Sequence, residues 1–374
     1  MIRNQPLSDF LTEYTLRNDN NQYKPVAVGR YGIRTRDSIY TKELAKDYSK
    51  NKVIYQDTLT VGMGSVQIDI GILTEDIRYS VSPAYHTYQI RNINPAYLRY
   101  CLECRNQDMF TRFVKRGSRQ GKSIDLKRWL TYEIPVFDER KQAEIVAVLD
   151  RISTQVANRQ EQLELFEQLV KSRFIELFES KSWETVRVDS IMFNMRNGVS
   201  PSNVGNHPAK VLTLSAITQG DFDPNSWKDG MFETEPPIEK RVTASDFYMC
   251  RGNGNKKLVG AGVYSKENRY DLVFPDTAIA ATVDLQRVCL PYLFHAWKRP
   301  SVRDQIEACA RTTNGTYKIN QGVISNIELF LPPIDLQEQF AAFVEQTDKS
   351  KLAVQKALDE LEILKKSLMQ QYFG

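Results

Sequence analysis

The sequence predicts an α+β protein. It has two globules of mainly antiparallel sheet, each followed by a long helix, and the two helices pair as an antiparallel coiled coil. Three observations carry this. A segment of the chain recurs, IPVFDERKQ at 134–142 and LPPIDLQEQ at 331–339. Each copy opens a stretch free of proline and glycine, about 40 residues long, with heptad patterning; such a helix is roughly 60 Å long. Each copy also follows a segment of short strand-like runs broken by turn residues, with one helical stretch late in it. The boundaries fall at 1–133 and 181–330 for the globules, and at 134–180 and 331–374 for the rods.

The globules match each other in order. Leu7-Ser8-Asp9-Phe10 mirrors Val188-Asp189-Ser190-Ile191. VIYQDTLTVGMGSVQIDIGILTED (53–76) then parallels VTASDFYMCRGNGNKKLVGAGVYSKEN (242–268). This alignment places Asp57 with Asp246, ahead of Gly62/Gly64 and Gly252/Gly254. YSVSPAYHTYQI (79–90) parallels YDLVFPDTAIAAT (270–282). A helix start follows, Asn94-Pro95-Ala96-Tyr97-Leu98 against Leu290-Pro291-Tyr292-Leu293. Each globule ends in a basic, glycine-bearing loop, 112–125 and 311–320.

The rods carry matched seams. The helix-pairing residues predicted in the first are Ile145, Leu149, Ile152, Val156, Leu163, Phe166 and Val170, with Arg159 in one slot. Those in the second are Phe340, Val344, Val354, Leu358, Leu361, Leu368 and Tyr372, interrupted by Thr347, Lys351 and Lys365. Spacings of three and four residues put these on one helix face, which buries against another helix. Asp138 is placed to cap the first rod, and Asp335 with Glu338 to form a capping box on the second. Pro135, Pro332 and Pro333 stop the preceding strands. The rod starts align at an offset of 197 and the rod ends at 195, which implies a two-residue slip between them.

Composition and charge narrow the function. The 374 residues are 26% charged and 41% hydrophobic, with a net charge of +4. This is an ordinary globular composition. No apolar run is long enough for a membrane span, and the start lacks a signal peptide, so a cytoplasmic protein is expected. Residues 1–137 hold 21 Lys/Arg against 14 Asp/Glu, and 181–334 hold 18 against 16. The rods run the other way, with 6 against 9 over 138–180 and 5 against 7 over 335–374. Basic globules on acidic rods suit an anionic partner at the globules. The five cysteines are read as reduced thiols. Cys101 and Cys104 form a CxxC without the second pair or nearby histidines that a metal site needs.

No motif for catalysis stands out, and no catalytic, cofactor-binding or metal-binding residue is predicted. Gly62-Met63-Gly64 and Gly252-Asn253-Gly254 lack the lysine and the strand-to-helix setting of a nucleotide loop. Asn94-Pro95-Ala96-Tyr97 is similar to the motif with which adenine-N6 methyltransferases grip a flipped base, but Asn then Pro is equally a helix N-cap followed by a first helical residue. The basic loops are stronger candidates, because Arg and Lys neutralise phosphates and Arg reads base edges. The predicted DNA-contacting set is Arg34, Arg36, Arg112, Lys115, Arg116, Arg119 and Lys122 in the first globule. In the second it is Arg251, Lys256, Lys257, Arg311 and Lys318.

A hydrophobic–proline segment leading into Glu-Gln at the head of a long helix, present after each of two unlike globules, resembles the specificity (S) subunit of type I restriction-modification enzymes. Glu338-Gln339 carries the match, while the central copy has Lys141-Gln142. The first globule starts more abruptly than that family pattern. The resemblance implies that each globule is a target-recognition domain reading one half of a split site on double-stranded DNA. It also implies rods that set the spacer and dock two methyltransferase (M) subunits, with restriction (R) subunits completing a host-defence nuclease. S-adenosylmethionine, ATP and magnesium belong to those partner subunits, and this chain itself is non-catalytic. Two alternatives are a stand-alone adenine-N6 DNA methyltransferase using Asn94–Tyr97 and a coiled-coil adaptor that binds protein only.

Overall fold

The computed structural model describes residues 2–30, 32–39, 47–117, 121–202, 204–313 and 315–374. It is a mixed helix and sheet fold. The chain divides into two compact units, Met1–Gln162 with Val354–Gly374, and Leu163–Ala353. Each unit holds one globule together with one end of each rod.

In the first unit, a four-stranded antiparallel sheet has the spatial order Leu11–Glu13, His86–Ile90, Thr58–Met63, Ile68–Leu73. The strand Thr58–Met63 is buried almost throughout, as a central strand of Val, Leu and Thr requires. Gly62 is needed within it, because a Cβ there would lie 2.3 Å from the Tyr85 ring. The helix Pro95–Phe113 packs its Tyr97, Leu98, Cys101, Leu102 and Met109 into the core beside Leu59, Val61, Tyr88 and Trp129. A separate small core of Val26, Val28, Ile54, Leu73 and Val81 supports the hairpin Val26–Gly29/Gly32–Thr35 and the strand pair Lys52–Ile54/Tyr79–Val81.

The second unit repeats this plan. Its four-stranded antiparallel sheet runs Met192–Asn197, Ala278–Val283, Asp246–Cys250, Gly262–Tyr264. The strand pairings correspond one to one, and they set Thr58, not Asp57, opposite the position that Asp246 fills. The alignment of Asp57 with Asp246 is therefore one residue out. Asp57 sits in a turn with φ +58°, whereas Asp246 lies inside a strand and is buried. The globule helix is continuous in the first unit but split in the second into Leu290–Trp297 and Pro300–Cys309. Pro300 has no N–H to continue the ladder and pushes Arg299 out of the helical region. The second unit also has a further sheet of four strands, in which His207–Leu212 and Arg269–Val273 pair in parallel.

The rods are Glu139–Phe174, continued by a π turn over Ile175–Glu179, and Ile334–Phe373. Every residue of the two predicted seams is buried or half-buried. In the first unit Ile145 and Leu149 share a core with Leu368, Tyr372 and Phe373, so the head of the first rod meets the tail of the second. In the second unit Val170, Phe174 and Phe178 share a core with Phe340 and Val344, tail against head. Both pairings are antiparallel. Full burial of an Ile, Leu or Phe contributes about 1.5–3 kcal/mol, so each such node is a strong anchor.

Two expectations about the rod starts are corrected. Asp138 does cap the first rod, accepting from the Lys141 N–H at 3.0 Å. On the second rod the free N–H groups of Leu336 and Gln337 go instead to the Pro333 carbonyl, at 3.1 and 3.3 Å. Asp335 lies within the first turn, where its charge complements the helix dipole, and Glu338 is exposed. Pro135 does not end its strand. It pairs with Asn4 inside Glu133–Val136, an edge position that needs no N–H from it.

Candidate nucleic-acid interface

The basic loop of the first globule is a hairpin, Val114–Gly117 with Gly121–Ile124. Gly121 has φ +76°, a left-handed turn position that favours glycine. Its register sets Lys115 opposite Ser123 and Arg116 opposite Lys122. Arg119 lies outside the described residues, as does the side chain of Arg116. The Lys115 ammonium donates to Asp125 at 2.6 Å, and this bond, with the Arg128 N–H, holds the Asp125 carboxyl below the usual range. Arg112 pairs with Asp108 at 2.8 Å. Lys122 donates to the Ser65 carbonyl and sits 5.4 Å from the Phe110 ring. These cations are exposed and paired at the surface, where pairs are weak and easily exchanged for a phosphate. Arg34 and Arg36 are placed elsewhere, on and just after the hairpin of the smaller core, with Arg36 5.4 Å from the Tyr48 ring.

The second globule gathers its candidates more tightly. A three-stranded sheet of Gly252–Asn253, Thr316–Lys318 and Arg311–Thr313 sets Lys318 between Gly252 and Arg311. Two exposed cations thus face each other across neighbouring strands, an unfavourable arrangement that an anion between them relieves. Arg251 immediately precedes this sheet, half-buried, donating to the Asp276 carbonyl at 3.2 Å. Lys256 and Lys257 follow on a single turn whose start is capped by the Asn255 side chain, at 3.1 Å from the Lys257 N–H.

Both basic hairpins end at a helix cap. Asp125 accepts from the Arg128 N–H at 3.3 Å, and Asn320 accepts from the Val323 N–H at 2.9 Å. The methyltransferase-like Asn94–Tyr97 is also a cap. The Asn94 side chain accepts from the Tyr97 N–H at 3.0 Å, and Tyr97 is fully buried with its hydroxyl on the Pro135 carbonyl at 2.7 Å. No face of Tyr97 is open to stack a flipped base. Cys101 is buried and its thiol is pushed up to about 12, while Cys104 is half-buried, so this CxxC is part of a helix packing face.

Sequence reasoning missed an ion pair around a buried aspartate in the second globule. Asp246 accepts from Arg196 at 2.5 Å and from the hydroxyls of Thr243 at 2.7 Å and Thr282 at 2.9 Å. It missed a groove of about 790 Å³ in the second unit, lined by Glu167, Asp221, His295, Lys298, Asp348 and Lys351 among others. It also missed two buried glutamines, Gln142 and Gln337. Gln142 and Gln337 make matching hydrogen bonds, which fixes the register of the repeat at 195 residues from the globule helices onward. The offset of 197 and its two-residue slip are thereby corrected. Asp138/Gln142 and Asp335/Gln339 agree as letters, but Gln339 is exposed and Gln337 occupies the place of Gln142.

Chains of this plan are found in solved structures from type I restriction-modification systems. The crystal structure of the type I restriction-modification system S subunit from M. genitalium superposes over 100% of this chain and 96% of its own, with a TM-score of 0.60 at 13% identity. A chain from a study of complex assembly and conformational transition of the type I restriction-modification system gives 0.58 at 16% identity, covering 99% and 97%. At these identities the likeness is one of fold. In sequence, 201 residues, 51% of this chain, are 28% identical to the EcoKI specificity subunit of Escherichia coli (strain K12). The match spans 42% of that relative's length. No protein-family model matches the chain. The resemblance drawn from the recurring rod starts is thus met by a specificity subunit in sequence and by an S subunit in fold.

Proposed function

We propose that this chain is the DNA-sequence-specificity subunit of a type I restriction-modification enzyme, without catalytic activity of its own. Each globule reads one half of a bipartite site through its basic hairpin and neighbouring turns. The rods set the spacer and dock two M subunits, which bring S-adenosylmethionine, while R subunits bring ATP and magnesium. The observation that carries this reading is one framework used twice: the same sheet order, helix cap and rod contacts recur, while the surfaces mounted on them differ. A common framework suits identical partners, and unlike surfaces suit unlike half-sites. The burial of Tyr97 weighs against the stand-alone methyltransferase.

The test is methylome sequencing of cells that carry this chain with its M subunit. The expected product is a split site with two different halves and a fixed spacer. A continuous palindrome, or the same methylation without this chain, refutes the proposal. A protein-only adaptor predicts no salt-dependent DNA affinity in the assembled complex.

A further inference from the structure

We infer that Gln142 and Gln337 are positioning residues that lock each globule to the rods and so govern how strictly the spacing between half-sites is read. The inference rests on the split-site reading above. Gln142 is 4% exposed and Gln337 fully buried. The Gln142 Oε1 accepts from the Asn94 N–H at 2.9 Å, and its Nε2 donates to the Phe137 carbonyl at 2.7 Å. The Gln337 Oε1 accepts from the Cys289 N–H at 2.9 Å, and its Nε2 donates to the carbonyls of Pro332 at 2.8 Å and Arg287 at 3.0 Å. Asn94 and Cys289 each stand at the N-cap position of the globule helix, and Phe137 and Pro332 lead into the rod. One amide therefore ties the start of the globule helix to the start of the rod beside it.

A tyrosine and a phenylalanine complete each node. Tyr97 donates to the Pro135 carbonyl and Tyr292 to the Phe330 carbonyl. The Tyr97 ring lies 5.2 Å from Phe373, and Tyr292 lies 5.0 Å from Phe178. Phe373 comes from the end of the second rod and Phe178 from the turn that ends the first. Three pieces of chain thus meet at each node: a globule helix, the head of one rod and the tail of the other. Tyr97/Tyr292, Gln142/Gln337 and Phe178/Phe373 all stand at the offset of 195. The amide hydrogen bonds go to main-chain atoms, so the node holds although Cys289 replaces Asn94 and Pro332 replaces Phe137. A side chain that fixes the globule's angle on its rod fixes where its half-site must lie.

The experiment uses the complex with M subunits and measures methylation of sites whose spacer is native or one base pair shorter or longer. Gln142→Leu and Gln337→Leu, made separately, are each expected to lower the preference for the native spacer by about tenfold, the scale of one lost buried hydrogen bond. Base preferences within each half-site stay as they were. Leu59→Ala, a core truncation in the first globule, serves as a control that lowers thermal stability without touching the node. It is expected to keep the spacer preference. Should Gln142→Leu not assemble, Gln142→Glu keeps the acceptor for Asn94 and loses the donor to Phe137, and carries the same readout. Unchanged spacer preference in the glutamine variants, or an equal loss in Leu59→Ala, overturns the inference alone. An unsubstituted complex indifferent to spacer length overturns the split-site reading along with it.

Discussion

Among single residues, His295 has the clearest measurable consequence. Burial chiefly pushes its imidazole down to about 4; Lys298 and Lys351 add to this, and Asp348 partly offsets it. The ring is packed among Phe174, Phe294 and Phe340. Between pH 6.5 and 4 the unfolded chain takes up a proton there that the folded one refuses. This contribution to stability is therefore complete above about pH 6.5 and is lost as pH falls toward 4, a change of about 3 kcal/mol. Denaturant midpoints measured from pH 7 to 4.5 should fall less steeply for His295→Gln than for the unsubstituted chain. Asp246 and Arg196 follow another logic. The Asp246 carboxylate is buried and the Arg196 guanidinium half-buried, so removing Arg196 strands a buried charge. None of this could be read from sequence, because the partners lie 50 residues apart. The Asn94 cap could be read, because helix capping is local.

At the scale of elements, the rods were the most legible part, since a heptad seam is a strong and long periodic signal. The start of the second rod was less so. Its Asp335 and Gln339 imitate the spacing of Asp138 and Gln142, and matching letters outweighed the burial that places Gln337 in the core. The basic hairpins were seen as loops, because their strands are only three or four residues long. The gathering of Arg311 and Lys318 into one sheet, beside Arg251, depends on pairing across the globule, which no local pattern encodes. If that sheet meets phosphates, Arg311→Ala with Lys318→Ala should reduce the slope of log affinity against log salt by about 2 in the assembled complex. An unchanged slope places the phosphate contacts elsewhere.

For the molecule as a whole, the repeat predicts a ruler. One heptad inserted into both rods adds about 10.5 Å of helix, close to 3 base pairs of duplex. Methylome sequencing of cells with the lengthened chain should report a spacer longer by about 3 base pairs with the half-sites unaltered. The same spacer as before would separate the rods from the measurement of distance. The globules themselves were legible only as paired, strand-rich segments. Several of their extra sheets join distant strands, and these are the parts in which the two units differ most.

The glutamine nodes have one more consequence, for how such a protein changes over generations. Their hydrogen bonds address carbonyls and N–H groups, which every substitution short of proline leaves in place. Side chains at Asn94, Phe137, Cys289 and Pro332 can therefore change while the bonds to their main-chain atoms persist. A chain of this plan can then accept new surfaces on a framework that does not need to be rebuilt.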